Sequence, residues 1–424
     1  MYFEGSSQKE KNSWRYRVII IILICFALIL SGRIIYLTVF NRAFLQGQGD
    51  MRAVRVLEVP ANRGMILDRN GSPLAISTPV SSIWIDPSNF DLNNPHIIEL
   101  AQYLSISSDQ LQKNIQKNRH REFLYLRRGL DPLIARRIKK LNIAGLYVRQ
   151  EYRRFYPEGE VTAHALGFTN VDDQGQEGLE LAYNSWLSGD TGKTEVLKDR
   201  YGLVVADLKL IKQAIPGHNL TTSIDRRIQF SAYQALQAGV AKYHTKAGTA
   251  IVMDVKTGEI LALVNVPSYN PNNRPAGQDP AYRNRALTDV YEPGSAMKAF
   301  SMVSAFNSAQ YKPSSTVNVS PGYIMVGGHR VSDEHNLGVI DMATVLGKSS
   351  NVGMAKITLS LPYERLRQTF SSVGFGEATG SNFPGESTGV LRNEAPWRPF
   401  DLATMSFGYG LSVTPMQLAR AYST

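Results

Sequence analysis

The stretch Tyr291-Glu292-Pro293-Gly294-Ser295-Ala296-Met297-Lys298-Ala299-Phe300 sets a chain break against the start of a helix. Pro293-Gly294 interrupts the backbone, and SAMKAFSMVSAF then runs with helical character. The spacing predicts a serine at a helix N-terminus, where the positive end of the helix dipole favours an alkoxide or a developing oxyanion. Lys298 follows three residues on, on the same helix face, so its amine can meet the Ser295 hydroxyl. A lysine accepts that proton only when neutral, which requires burial or cationic neighbours to lower its pKa. Met297, Ala299 and Phe300 supply apolar surroundings that fit this requirement. Taken alone, Ser-x-x-Lys reads first as a capping serine with an exposed lysine.

A second stretch changes that reading. Gly347-Lys348-Ser349-Ser350-Asn351-Val352-Gly353 places Ser-x-Asn between two helical runs, DMATVLG and VGMAKITLSL. Such a loop can hold a hydroxyl and an amide beside the nucleophile. Ser349 could pass a proton towards a leaving group, and Asn351 could hydrogen-bond a peptide carbonyl of the substrate. A lone Ser-x-Asn is an ordinary loop sequence; EPGSxxK followed by SSN is specific.

Upstream, a domain begins near Leu220. Residues 225–242 carry apolar side chains at 228, 232, 235/236 and 239/240, which is helical spacing, with Asp225 as N-cap. GTAIVMD and EILALVNV then form two strands around VKTG, with Gly258 at the left-handed position of the turn. Lys256 and Thr257 sit at the exposed tip, so Lys256-Thr257-Gly258 reads as a turn and not as part of a site.

Residues 41–219 read as an irregular α+β region. Residues 41–60 are a polar, mixed juxtamembrane segment. ANRGMILDRNGSPLAIS is a hairpin, with Asn70-Gly71 supplying left-handed positions and Arg63 and Asp68 in structural roles. Residues 92–118 and 131–141 are helical, the second opened by Asp131-Pro132. Arg136, Arg137, Lys139 and Lys140 are the wet face of that helix. Residues 147–215 are mixed. Within them Gly189-Asp190-Thr191-Gly192-Lys193-Thr194 ends like a phosphate-binding loop but has Leu187 where that loop needs glycine, and reads as a loop.

The N-terminus decides the compartment. Residues 18–32 carry no charge, and after Arg33 the run IIYLTVF continues to Phe40. The two runs are long enough to cross a bilayer core as one uncleaved helix, with Arg33 near its far end. Lys9, Lys11, Arg15 and Arg17 precede it against Glu10, which puts residues 1–17 in the cytoplasm and everything after Phe40 outside. Of the 424 residues, 43% are hydrophobic and 19% charged, so the bulk folds around real cores. The net charge of +10 comes without zinc-finger spacing or a basic arm, and predicts a basic surface near a membrane with no nucleic-acid partner. The single cysteine, Cys25, and the lack of a Cys/His cluster predict no disulfide within the chain and no metal.

With EPGSxxK and SSN in this order, the chain resembles the penicillin-binding proteins, specifically the class B, monofunctional peptidoglycan D,D-transpeptidases. The resemblance covers nearly everything from Arg63 onward. RGMILDRNG is similar to the start of the family's non-catalytic pedestal. RRFYPEGEVTAHALGFTNVDDQGQEGLE, KDRYGLVV, PSYNPNN and FGYGLSVTPMQLARAY resemble the septum branch. The resemblance implies an α+β protein with a cytoplasmic tail (1–17), a single transmembrane helix (18–40), a pedestal (41–219) and a serine β-lactamase-like transpeptidase domain (220–424). It implies Ser295 as acyl-enzyme nucleophile, Lys298 as general base, and Ser349 with Asn351 as the second motif. The implied substrate is the D-Ala-D-Ala end of a stem peptide; β-lactams acylate the same serine, and no cofactor is needed. The implied partners are a membrane-embedded glycan polymerase and division-complex proteins, at the septum of the inner membrane.

The sequence departs from the family at its third motif. Lys-Ser/Thr-Gly normally follows Ser-x-Asn, whereas Lys256-Thr257-Gly258 precedes Ser295 and the chain stops at Thr424. The expectation is a transpeptidase domain without its last strands and impaired in cross-linking. Rival readings are a non-catalytic division scaffold, a β-lactam sensor, and a D,D-carboxypeptidase or β-lactamase.

Overall fold

A computed structural model describes residues 8–42, 54–198, 204–274, 277, 279–392 and 397–424. The opening MYFEGSS, most of the juxtamembrane segment, the middle of KDRYGLVV and the side chains of Lys9 and Lys11 lie outside the described residues. The chain divides into two compact units: residues 1–60, 81–149 and 191–214, and residues 61–80, 150–190 and 215–424.

The first unit begins with the helix Gln8–Ile35, continued by a π-helical turn Tyr36–Phe40. Residues Trp14–Phe40 are long and apolar enough to cross a membrane, a span opening a turn earlier than residue 18. The unit's sheet joins Val54–Val59, Gly192–Lys198 and Val204–Lys212 in that order, all antiparallel. This corrects two expectations. The end of the juxtamembrane segment is a strand, and Gly192-Lys193-Thr194 opens a strand instead of completing a loop. The physical reason lies in the pairing of Val56 with Glu195 and of Val59 with Gly192, which supplies backbone partners from far along the chain.

The same unit holds a helical layer. Residues 92–118 resolve into two helices, Ile97–Tyr103 and Ser108–Lys117, separated where Ser105 turns to φ 55°. Ser107 closes a capping box with Gln110. Asp131 caps Pro132–Lys140 by accepting from Leu133 N, as its sequence predicts. Leu100, Leu104, Leu111, Ile115 and Ile138 pack with Ile83 and Ile85 as the core.

In the second unit, Ile66–Leu67 pairs antiparallel with the start of Pro73–Ile85 and parallel with Leu220–Thr221. The hairpin turn differs from expectation: Gly71 is left-handed (φ 82°) and Asn70 is not. Asp68 does the work Asn70 was assigned, since its Oδ1 accepts from Asn70 N at 2.8 Å and Ser72 N at 2.7 Å. Arg63 is structural, as expected. Its buried guanidinium meets the fully buried Glu180 at 2.8 Å, and Arg154 meets the same carboxylate at 2.6 Å.

The helix Arg226–Lys242, capped by Asp225, packs on the hairpin Gly248–Met253/Ile260–Val266. The sequence periodicity misses its most buried side chain, Gln229. That amide accepts from Leu263 N at 2.8 Å and donates to Leu263 O at 2.8 Å and Val161 O at 2.7 Å, so its burial costs no orphaned group. Further along, two small antiparallel pairs lie among the helices: Thr316–Asn318 with Val339–Asp341 and, between them in sequence, the hairpin Tyr323–Val326/His329–Ser332. Their apolar sides meet the helices Lys298–Asn307 and Asn351–Leu359 in two adjoining clusters, around Met302, Val345, Met354 and Ile357 and around Val326, Val331 and Ala355.

Candidate active site

Ser295 stands in a 3-10 turn, Gly294–Met297, and the α-helix proper begins at Lys298. The expected single helix is therefore tightened at its start. The cause is how the turn is tied down. Gly294 N donates to Gly408 O at 3.1 Å, and Tyr291 exchanges two bonds with Val413 at 3.1 and 3.0 Å. Glu292 accepts from Gly410 N at 2.8 Å. Gly408 is left-handed (φ 88°), and a Cβ there would lie 2.0 Å from Gly294 O. The FGYG stretch is thus a backbone clamp on the serine turn, and only glycine allows the approach.

The hydroxyl of Ser295 is exposed while Lys298 is 2% exposed. Its Nζ lies 3.0 Å from Ser295 Oγ, 2.6 Å from Ser349 O and 2.8 Å from Ser349 Oγ. Burial lowers the lysine pKa to about 8, and the charge of Asp333 opposes that shift. A neutral amine has two N–H donors and one lone pair. The Ser349 carbonyl can only accept, so it takes one N–H. The lone pair is then available to the proton of Ser295, and the remaining N–H to Ser349 Oγ. That hydroxyl also donates to Ser295 Oγ at 3.0 Å, closing a triangle of Ser295, Lys298 and Ser349.

Ser349 reaches this position through a left-handed backbone (φ 52°), between the helices Met342–Gly347 and Asn351–Leu359. Ser350 caps the second helix by accepting from Gly353 N at 2.8 Å. Asn351, expected beside the nucleophile, opens that helix with Nδ2 3.4 Å from Ser332 O. No hydrogen bond among the described residues joins it to Ser295 or Lys298. Lys256 is at an exposed tip where Asp254 accepts from its N–H at 2.8 Å and Gly258 is left-handed (φ 74°), as the turn reading requires. Sequence reasoning missed Asp333, Ser350 and Gly408. Ser350 had a signal, a serine just before a helical run; Asp333 and Gly408 act through residues distant in sequence.

A hydroxyl, a buried amine of lowered pKa and a second hydroxyl stand mutually in hydrogen-bond reach, which is the geometry that acyl transfer through Ser-x-x-Lys requires. Residues 248–424 match the penicillin-binding protein transpeptidase domain, and residues 58–222 the penicillin-binding protein dimerisation domain. Over 414 residues the chain is 41% identical to the probable peptidoglycan D,D-transpeptidase PbpC of Pseudomonas aeruginosa, covering 98% of this chain and 73% of that protein. It is 42% identical over 417 residues to the peptidoglycan D,D-transpeptidase FtsI of Escherichia coli K12, covering 97% and 70%. A crystal structure of a peptidoglycan synthetase from Bifidobacterium adolescentis superposes with a TM-score of 0.66 at 28% identity, over 87% of this chain and 72% of that one. The chain belongs to the class B penicillin-binding proteins, a family of serine-type peptidoglycan D,D-transpeptidases.

Proposed function

We propose that this chain carries the D,D-transpeptidase reaction on Ser295, with Lys298 as general base, Ser349 as proton relay and Asn351 as the amide that holds a substrate peptide carbonyl. The observation that carries the reading is Lys298 Nζ, buried and 3.0 Å from the exposed Ser295 Oγ. The proton of Ser295 passes to the neutral amine as Oγ attacks the carbonyl of the penultimate D-Ala of a stem peptide. The proton is returned through Ser349 to the departing D-Ala amine, leaving an ester on Ser295. An amine of a neighbouring stem peptide attacks the ester, forming the cross-link and freeing the serine. A β-lactam enters at the first step, and its opened ring leaves the ester in place.

The domain assignment is part of the same reading: a tail at 1–17, a span at 18–40, a pedestal at 41–219 and the transpeptidase domain at 220–424. The two domain matches and the apolar helix Trp14–Phe40 support it. The helix suits a single pass through the inner membrane. Placement at the septum, beside a glycan polymerase and division proteins, is supported by the likeness to FtsI.

Acylation by a fluorescent penicillin should rise with pH and level off above about 8, the value to which burial brings Lys298. Below it the neutral amine, and with it the rate, falls about tenfold per pH unit. Rates measured from about pH 6 to about pH 9 check this. A flat profile would remove Lys298 from the role of base.

A further inference from the structure

Asp333 stands behind the serines of the site and not among them. It follows the hairpin Tyr323–Val326/His329–Ser332, and its N–H donates to Gly322 O at 2.9 Å. Both its carboxylate oxygens are spent on one turn. Oδ2 accepts from Ser350 Oγ at 2.5 Å and Oδ1 from Val352 N at 2.9 Å. Ser350 Oγ in turn accepts from Gly353 N at 2.8 Å. The turn's own backbone bonds, Ser349 N to Leu346 O and Ser350 N to Val345 O, close the helix before it. The bonds that fix the start of the helix after it come from Asp333 and Ser350.

Between those two sets of bonds lies Ser349, in the left-handed region that a non-glycine residue enters at a cost. That conformation turns both its carbonyl and its hydroxyl onto Lys298 Nζ. We propose that Asp333 is a positioning residue for acylation: its carboxylate staples the Ser349–Asn351 turn and so holds Ser349 against Lys298 and Ser295. The inference rests on the roles proposed above for those residues.

The same carboxylate has an electrostatic effect, since its charge favours the protonated amine of Lys298 while burial disfavours it. Other charged groups on the elements packed against the Lys298–Asn307 helix are engaged elsewhere or exposed. Lys356 donates to Asn318 O at 2.7 Å, Arg365 to Asn307 O at 3.4 Å, and Asp341 accepts from Thr344 N at 2.8 Å. Lys348 and Glu364 are exposed, and the half-buried Arg367 is engaged.

The test is the pH profile of acylation by a fluorescent penicillin in the full chain, for Asp333→Asn and Asp333→Glu against the unaltered protein. Asparagine keeps the shape but loses the charge and one acceptor. The plateau rate should fall about tenfold or more, because Ser349 is no longer held in place. The acid limb should move to lower pH, because without Asp333 the amine of Lys298 loses its proton more readily. Asp333→Glu should return the limb towards its original position. A profile superposable on that of the unaltered chain overturns the inference alone. So does a rate loss with an unmoved acid limb, which is what a purely structural residue would give. An unaltered chain that takes no label overturns the functional reading and this inference with it.

Discussion

Lys298→Met should lower the rate of acylation at Ser295 by about 10³–10⁴-fold while leaving the fold intact. Methionine has a similar length and fills the buried volume at 2% exposure, but its thioether cannot take the proton from Ser295. It also ends the bonds that Nζ makes to Ser349 O and Oγ, so the second hydroxyl loses its anchor to the first. Lys298→Arg should be equally slow, since guanidinium does not deprotonate in proteins. This separates loss of the base from loss of the charge. Thermal unfolding should show Lys298→Met no less stable than the parent, because a buried amine of lowered pKa contributes little to stability that an apolar side chain does not. The measurement is the second-order rate constant for benzylpenicillin; a Met variant within a few fold of the parent would contradict the assignment.

Glu180→Gln should be the costliest single change outside the site, at about 3–5 kcal/mol. Glu180 is fully buried and serves two guanidinium groups at once, Arg63 Nε at 2.8 Å and Arg154 Nε at 2.6 Å. Arg63 also donates to Asp173 O, Asn184 Oδ1 and Ser188 Oγ, so it cannot withdraw to solvent without breaking several bonds. Glutamine would keep the volume and leave two buried cations short of their shared counter-charge. The exposed pair Arg69–Glu259, at 3.2 Å, is the internal control, and its loss should cost under about 1 kcal/mol. Chemical unfolding followed by fluorescence checks both, and equal costs for the two would show that burial does not set the energetics here.

The contrast between those two ion pairs shows what a sequence can and cannot convey. Arg63 reads as a structural residue from its place beside a turn, but its partner Glu180 is 117 residues away and no local pattern names it. The same limit explains Val54–Val59 and Gly192–Lys198. Each is short, and Val54–Val59 finds its partner only in Gly192–Lys198, which Val204–Lys212 holds on its other side. Local signals survived into the structure where the physics is local. Asp131 and Asp225 cap the helices they precede, and Gly258 takes the left-handed position between its two strands.

At the site, Ser295 and Lys298 were legible because a spacing of three places them on one face whether the turn is 3-10 or α. Ser349 was legible as a motif, but the part played by its carbonyl was not, since it depends on a left-handed serine that composition does not announce. Gln229 gave no burial signal for a related reason. Periodicity assigns polar side chains to the wet face, and this amide is buried because the main chain of Leu263 satisfies it at both ends. The clamp of Gly408 on Gly294 involves residues far apart in sequence, and is visible only once the backbone is traced.

Intact-protein mass spectrometry reads the acyl-enzyme on Ser295 itself. The chain is incubated with benzylpenicillin beside its Ser295→Ala variant, and the adduct is located by peptide mapping. One covalent penicilloyl group is expected on the peptide containing Ser295 and none on the variant. An adduct that persists in Ser295→Ala, or that maps to Ser349 in the unaltered chain, would contradict it.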